Sequence, residues 1–252
     1  MKKSFVKDQL KVNVYEDRSL MGKAAACDIS KNIKDLLSKK NEVNIVFAAA
    51  PSQDDFLAEF IQKDIDWSKI RGFHLDEYIG LEDDSTEKFS HYLNTHIFNK
   101  VLFKDIYLID SIADTTVEKI KRYSDLLKKY PLDIACIGVG ENGHIAFNDP
   151  EVADFTDTEN IKQVVLDKKC RRQQVNDGCF ASIEDVPEYA ITLTIPTIMS
   201  ADYIFCMVPT KNKRNAIDNC INGKINTNCP ASVLRSHQRA VMYLDSDAAG
   251  NL

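Results

Sequence analysis

The 252-residue sequence lacks several features that define whole classes of protein. No apolar run approaches the ~18 residues of a membrane-spanning helix, and the segment Met1–Asp8 has no long apolar core of the kind that signal peptides carry. The seven cysteines, an odd number, include no Cys-x-x-Cys pair, so neither a disulfide framework nor a zinc site is indicated. We therefore expect a cytoplasmic protein without a membrane partner.

Basic residues are also in deficit, because 32 Lys and Arg stand against 38 Asp and Glu, for a formal net charge of −6. A general nucleic-acid surface needs a basic face, so no nucleic-acid partner is expected. The sequence has no His, Cys or Asp set at metal-ligand spacing, no Walker loop and no dinucleotide fingerprint, so neither a metal nor a cofactor is predicted. An anionic small-molecule ligand is not excluded, since a few basic side chains at one site can bind it whatever the net charge of the protein.

What the sequence does contain is an alternation of short apolar runs with longer segments of helical periodicity. This alternation is typical of βαβ units, and it predicts a single α/β domain over residues 1–252 with a largely parallel, Rossmann-like sheet flanked by helices. The predicted strands are Lys11–Glu16, Val43–Ala48, Ile70–Leu75, Ile106–Ile109, Leu132–Val139, Ala190–Ile195, Tyr203–Val208 and Ala240–Leu244. The predicted helices are Ser19–Lys39, Asp54–Lys63, Glu87–Lys100, Thr115–Tyr130 and Lys211–Asn222.

The most informative stretch is Gly138–Pro150, which reads G-V-G-E-N-G-H-I-A-F-N-D-P and follows an apolar strand. Loops at the carboxyl ends of strands form the ligand sites of open α/β sheets. Gly140 and Gly143 permit a ligand to approach the backbone closely, and His144 can transfer protons near neutral pH. The stretch is typical of an active-site loop.

This stretch resembles the glucosamine-6-phosphate deaminase (isomerase) family, whose pattern is roughly G-x-G-x-D-G-H-I-A-F-N-E-P. The related 6-phosphogluconolactonases share the first half and diverge after the histidine, so the match through Ile145–Asn148 favours the deaminase branch. A second block, Phe73–Leu81, resembles the family's D-E-Y-x-G-L segment. The resemblance runs from about Val43 to Leu244 and implies the sugar-phosphate isomerase/deaminase fold.

Within the second block, Asp76 follows a predicted strand, which would present its carboxylate at the edge of the sheet. The resemblance implies that Asp76 moves a proton between C1 and C2 of the substrate, work that needs a base within hydrogen-bond reach. The alternative is a helix N-cap or a solvated turn acid. Glu77 is open between a supporting role at the substrate site and a solvated surface carboxylate.

For His144, the resemblance implies assistance in opening the sugar ring, with an acidic pair that orients the imidazole. The sequence departs from the family here, because Asn142 replaces the usual Asp and Asp149 replaces the usual Glu. Asn142 can orient a histidine but cannot stabilise its charge as a carboxylate does. Asp149 is one methylene shorter, and a displacement of about 1 Å can cost ~100-fold in rate. A structural turn at Asn142-Gly143 and a helix start at Asp149 are the alternatives.

A phosphate site is expected where the predicted strand from Val43 ends, in the segment A-A-A-P-S-Q-D-D that contains Ala49, Ala50 and Ser52. The family's glycines are missing here, although small alanines still allow close backbone approach. Ser52 is predicted to bind phosphate at a helix start, or else only to cap that helix. Asp54 and Asp55 would compete with phosphate for the positive end of the helix.

Cations are expected to complete this phosphate site. The segment Pro209–Ile217 resembles the family pattern T-G-x-x-K-x-x-A-I, which places Lys213 on the phosphate-binding lysine. The family also has a phosphate arginine near residues 171–172, where we favour Arg171 over Arg172. A solvated basic face is the alternative for this Lys/Arg cluster.

Together these features predict an enzyme that converts glucosamine 6-phosphate to fructose 6-phosphate and ammonia without a cofactor. A related sugar-phosphate enzyme (a galactosamine-6-phosphate deaminase or a lactonase) and a non-catalytic sugar-phosphate sensor are the alternatives. The expected partner is a small sugar phosphate. Homo-oligomerisation is left open, because some members of the family are hexamers and others are not.

Overall fold

The computed structural model describes residues 1–111 and 115–252, which contain eleven strands and eight α-helices. The strands are β1 (Lys3–Lys7), β2 (Leu10–Val14), β3 (Val43–Phe47), β4 (Ile70–His74), β5 (Asp76–Tyr78), β6 (Asp105–Tyr107), β7 (Ile134–Ile137), β8 (Ile161–Val165), β9 (Tyr189–Leu193), β10 (Tyr203–Val208) and β11 (Ala240–Leu244). The helices are α1 (Arg18–Leu37), α2 (Asp54–Phe60), α3 (Phe89–Leu93), α4 (Thr116–Lys129), α5 (Lys168–Asn176), α6 (Ile195–Met199), α7 (Arg214–Asn222) and α8 (Ser246–Ala249).

Eight strands form the central sheet in the order β1-β2-β11-β10-β7-β3-β4-β6. Every pair in it is parallel except β1 with β2. The predicted largely parallel α/β fold is confirmed. The chain runs from β3 outward to β6 and then returns to β7 on the other side of β3, so the direction of winding reverses between these two strands. Ligand sites in open sheets lie at such a reversal.

Helices cover both faces of this sheet. On one face, Ile29 and Ile33 of α1 and Phe56 of α2 pack with Ile45 of β3 in a single buried cluster. On the other face, buried side chains of α4, α6 and α7 pack against Ile137 and its neighbours. The two layers fix the central strands, whose carboxyl ends therefore form a rigid rim.

A second, three-stranded sheet has the order β5-β9-β8 and is antiparallel throughout. The predicted strand Ala190–Ile195 is found as β9, but it belongs to this small sheet rather than to the parallel one. Asp76 pairs with Thr192 in the register of β5 and β9. The small sheet thus supports the segment that follows β4.

The predicted helices are all found, with shifted ends. The expected helix Glu87–Lys100 consists of α3 followed by a π-helical turn over Asn94–Phe98. The segment predicted as Lys211–Asn222 begins with a 3₁₀ turn at Lys211–Lys213 before α7. Helix α5, which begins after the N-cap Asp167, was not predicted from the sequence. Within the described residues, no helix combines the length and the apolar character needed to cross a bilayer.

Candidate active site

Four neighbouring strands, β10, β7, β3 and β4, end at one rim of the central sheet, and a cavity of about 200 Å³ opens there. The segments that follow all four strands contribute to its wall. Residues predicted for the site that line this cavity are Ala49, Ala50, Ser52, Asp76, Gly140, His144 and Lys213. Residues far apart in the sequence therefore meet at one cavity. This was expected, because each of them follows a predicted strand.

Asp76 is the first residue of β5 and is only 7% exposed. Burial raises the pKa of its carboxyl well above the usual value, and the neighbouring charge of Glu77 raises it further, while the Phe147 amide acts in the opposite direction. Asp76 is neither a helix cap nor a solvated acid. A buried carboxylate with a raised pKa is a stronger base than a solvated one.

Glu77 does not line the cavity and is not at the surface, since it is 1% exposed. Its carboxylate accepts hydrogen bonds from the amides of Tyr78 (2.9 Å), Phe89 (3.1 Å) and Ser90 (2.8 Å). Burial raises the pKa of Glu77 to about 7, although those amides oppose the shift. Of the two alternatives, the solvated surface carboxylate is thus excluded, and Glu77 fixes the segment between β5 and α3 without lining the cavity.

His144 and Asp149 form a buried pair in the loop after β7. The distance from His144 Nδ1 to Asp149 Oδ1 is 2.8 Å. Burial opposes the charge on Asp149, but the hydrogen bonds from His144 and Asn142 and the charge of His144 outweigh it and lower the pKa of this carboxyl. The shorter side chain of Asp149 therefore still reaches the imidazole.

Asn142 lies beside this pair and connects two carboxylates. Its Nδ2 donates to Asp149 Oδ1 (2.8 Å) and to Asp167 Oδ2 (3.2 Å), while its Oδ1 accepts from the amide of His144 (3.1 Å). A carboxylate at this position could not donate to either acid. Asn142 thus holds the loop from outside the cavity.

The two predicted glycines of this loop act differently. Gly140 lines the cavity, and a Cβ atom there would stand 2.2 Å from the ring of His144. Gly143 does not line the cavity and has φ +87, with Cys229 Sγ 2.7 Å from where its Cβ would be. Gly140 makes room for the imidazole, whereas Gly143 makes the turn that presents it.

The segment after β3 forms the opposite wall. Ser52 lies in the 3₁₀ turn Pro51–Gln53 and does not cap a helix, since its Oγ accepts from Gln53 Nε2 (2.9 Å). The two acids expected to compete with phosphate have other partners: Asp54 accepts from the hydroxyl of Tyr92 (2.5 Å), and Asp55 forms an ion pair with Arg18.

Lys213 is the buried cation of the cavity, at 5% exposure. Burial lowers the pKa of its ammonium group, and the charges of Asp177 and Glu141 partly offset the effect. Within the described residues it has no salt-bridge partner. Buried ammonium groups are costly unless paired, so this arrangement fits a site that receives an anion.

Arg171 is not brought to the cavity, which corrects the placement expected from the sequence. Its guanidinium donates to the carbonyls of Ile183 (2.7 Å) and Val186 (2.8 Å). This arginine therefore ties α5 to the loop before β9. Arg172 is exposed and does not line the cavity either.

Besides Thr210, which lies in the segment Pro209–Ile217, four polar residues of the cavity wall were missed from the sequence: Arg18, Gln173, Gln174 and Asp177. Arg18 opens α1, and its Nη2 donates to the Pro51 carbonyl (2.7 Å) while Asp55 pairs with Nε. Two of the other three lie on α5. Only the N-cap Asp167, whose side chain accepts from the Cys170 amide (2.6 Å), could have indicated that helix.

With this geometry in hand, comparison with known proteins assigns the family. Residues 16–243 match the profile of the glucosamine-6-phosphate isomerases/6-phosphogluconolactonase family, and the chain belongs to that family. A glucosamine-6-phosphate deaminase of Listeria innocua is 34% identical over 227 residues, which cover 88% of this chain and 95% of the relative. One of Streptococcus equi subsp. equi is 32% identical over 213 residues, covering 84% and 89%.

A solved structure of a monomeric glucosamine-6-phosphate deaminase is similar at a TM-score of 0.84 and 27% identity, covering 94% of this chain and 98% of that one. A 6-phosphogluconolactonase from Thermotoga maritima shares the fold at a TM-score of 0.75 and 17% identity, with coverages of 93% and 98%. The predicted resemblance is confirmed, as is the expectation of an enzyme of the deaminase-like kind.

Proposed function

We propose that the protein converts glucosamine 6-phosphate and water to fructose 6-phosphate and ammonia. The observation that carries this proposal is the meeting, in one cavity, of a buried unpaired cation (Lys213), a buried base (Asp76) and a histidine held by a carboxylate (His144). These three groups match the needs of an anionic sugar that must open and then shift a carbon-bound proton.

The phosphate is bound at the wall between the ends of β3 and β10. Lys213 supplies the buried positive charge, and Arg18 supplies a second cation beside Ser52. Since Arg18 Nη1 has no hydrogen-bond partner within the described residues, it is free to donate to a phosphate oxygen. This pair takes the place that sequence reasoning gave to Lys213 with Arg171.

Ring opening comes first and requires proton movement at the ring oxygen and the C1 hydroxyl. His144 faces the cavity through the ring edge beside Gly140, while Nδ1 is held by Asp149. The negative Asp149 stabilises the imidazolium that forms when His144 accepts a proton. His144 therefore transfers a proton during opening and yields the C1 aldehyde.

Asp76 then removes the proton from C2 while a proton of the C2 ammonium group passes to O1, which gives an enolamine across C1 and C2. Return of that proton to C1 leaves a protonated imine at C2, and water hydrolyses it to the ketose and ammonium. The raised pKa of Asp76 suits both halves of this transfer, because the acid formed in the first step must release its proton in the second. A lactonase would need no base of this kind at Asp76.

The test is an assay of purified protein with glucosamine 6-phosphate, galactosamine 6-phosphate and 6-phosphogluconolactone in parallel. Ammonia and ketose phosphate released in equal amounts from the first sugar, and lost in His144→Ala, are expected. Hydrolysis of the lactone without ammonia would reassign the protein as a lactonase. Tight binding of the sugar phosphates without turnover of any of the three would make it a sensor.

A further inference from the structure

Three side chains that ligate metals meet behind the cavity. A nitrogen of His144, an oxygen of Asp149 and the sulfur of Cys170 lie within 4.8 Å of one another, and all three residues are buried. His144 and Asp149 come from the loop after β7, and Cys170 comes from α5. Within the described residues, this is the one group of three or more such side chains with this spacing.

The carboxylate at the centre of the cluster is incompletely satisfied. Asp149 Oδ1 contacts His144 and Asn142, but the buried Oδ2 has no hydrogen-bond partner within the described part of the chain. Asp149 is 1% exposed, so water does not readily compensate this oxygen. A buried acceptor without a partner is costly, and a cation bound between Asp149 and Cys170 would satisfy it.

Local charge favours a cation at this position. Asp167, held by Asn142 at 3.2 Å, adds a second carboxylate close to the cluster. The charges of Asp149 and Asp167 both act on the Cys170 sulfur.

The donor set of one imidazole, one carboxylate and one thiolate is typical of Zn²⁺. Zinc holds such ligands at about 2.0 to 2.3 Å, so they stand roughly 3.5 Å apart, and the three ligand atoms here lie within 4.8 Å of one another. We propose that His144, Asp149 and Cys170 form a Zn²⁺ site whose occupation inhibits the enzyme. A water from the cavity completes the tetrahedron.

The binding step conserves protons and involves no change of oxidation state. The Cys170 thiol releases its proton to solvent. His144 ligates through Nδ1, the nitrogen that faces Asp149, and the proton that Nδ1 donated to Asp149 is transferred to Nε2. His144 is thereby withdrawn from the proton transfer assigned to it above. Only this inhibition rests on the proposed function; the metal site itself does not.

The experiment uses Co²⁺ as a spectroscopic probe for Zn²⁺ in the full-length protein. One equivalent of Co²⁺ should produce a thiolate-to-cobalt charge-transfer band in the near ultraviolet, and one equivalent of Zn²⁺ should remove it. Cys170→Ser should lose the band and weaken Zn²⁺ binding by at least about 100-fold, since even partners outside the first ligand shell cost 10- to 100-fold. Cys179→Ser, a partly buried cysteine outside the cluster, is the matched control and should behave as wild type.

Several results would overturn the site. They are the absence of a stoichiometric charge-transfer band in the wild type, a band that persists in Cys170→Ser, or a band lost in Cys179→Ser. Cys170→Ala provides a second variant, and circular dichroism shows whether either variant folds. If either variant unfolds, the wild-type band and its decrease in His144→Asn decide the matter.

Activity separates the two proposals. Zn²⁺ should inhibit ammonia release in wild type and Cys179→Ser at concentrations that saturate the cobalt-defined site. Zinc binding without any inhibition of a measurable deaminase would overturn the inhibitory role. Absence of turnover would count against the proposed function and leave the spectroscopic result on the metal site intact.

Discussion

Nδ1 of His144 lies 2.8 Å from one oxygen of Asp149, whereas the other oxygen of that carboxylate has no hydrogen-bond partner among the described residues. One half of the carboxylate therefore orients the imidazole that we assign to ring opening. The Cys170 sulfur lies within 4.8 Å of an oxygen of the same carboxylate. The same acid thus belongs both to the proposed chemistry and to the proposed metal site.

The proposed base is tested by Asp76→Asn. The amide keeps the shape of the side chain but cannot accept the C2 proton, so turnover should fall below detection while sugar-phosphate binding stays within a few-fold of wild type. Ammonia release and calorimetric titration measure the two effects. Asp84→Asn, at an exposed acid of the following loop, is the control. Near-normal turnover in Asp76→Asn would remove the role given to Asp76.

The second cation is tested by Arg18→Gln. Loss of a charge-assisted hydrogen bond to phosphate costs about 1.5 to 3 kcal/mol, so KM for the sugar phosphate should rise roughly 10- to 100-fold with a smaller change in kcat. Arg172→Gln removes an exposed arginine that does not line the cavity and should leave KM unchanged. The reverse pattern would return the phosphate contact to the arginines of α5.

Asn142→Asp restores the residue that the family pattern has, yet we expect it to destabilise this chain. The new carboxylate would face Asp149 and Asp167, both of which now accept from the Asn142 amide. The loss should be about 1 to 3 kcal/mol in urea unfolding. Asp167→Asn should recover most of it in the double variant, because Asn also caps helices. Additive effects of the two substitutions would contradict this coupling.

Acid stability is tested at His74, which is fully buried with no hydrogen-bond partner for either ring nitrogen among the described residues. Burial lowers its pKa to about 4, and the charge of Asp110 offsets this only in part. Below about pH 6.5, the folded protein thus binds fewer protons at this site than the unfolded chain does. The free energy of unfolding therefore decreases as the pH is lowered, by about 3 kcal/mol near pH 4.

His74→Phe should abolish that part of the acid loss. The measurement is urea unfolding of both proteins at pH 7 and pH 4.5, and the relevant quantity is the difference between them. Glu77, whose raised pKa makes the fold more stable as pH falls, contributes equally to both proteins and cancels. An identical pH dependence in the variant would show that His74 does not limit acid stability.

Backbone strain is tested at Thr210, which has φ 82 and ψ 148 at the edge of the cavity. The backbone is held there by hydrogen bonds from its amide to the Asp245 carboxylate (3.1 and 3.0 Å). This conformation costs a non-glycine residue about 1 to 3 kcal/mol, so Thr210→Gly should raise the free energy of unfolding by roughly 1 kcal/mol. Thr116→Gly, at an ordinary helical position in α4, should lower it. A loss of stability in Thr210→Gly would contradict the strain.

Positions in the segments that follow apolar strands were predictable from the sequence. Asp76 follows β4, His144 lies in the loop after β7, and Lys213 lies just beyond β10. Because parallel neighbours end at one rim, the strand pattern was sufficient to bring these residues together. The family pattern further distinguished them from the other acids, histidines and lysines.

Positions that depend on contacts distant in sequence were not predictable. Arg18 lies at the start of α1, and the apolar periodicity of that helix predicts only which residues are buried. The position of Arg18 in the cavity depends on its ion pair with Asp55 of α2. Arg171 was misplaced because α5 was not predicted, and the direction of a side chain cannot be assigned without its helix. The cluster of His144, Asp149 and Cys170 combines residues of a loop and of a helix. Their separation in the sequence does not match any metal-binding motif, so the cluster could not be predicted.

The position of β7 between β3 and β10 has a consequence for synthesis of the protein. When β7 leaves the ribosome, its β3 partner has already been made, but β10 has not. The nascent chain therefore holds one free hydrogen-bonding edge on its central strand, and the lysine that faces the cavity is still to come. The cavity is complete only after β10, which opens the last fifth of the chain, has paired with that edge.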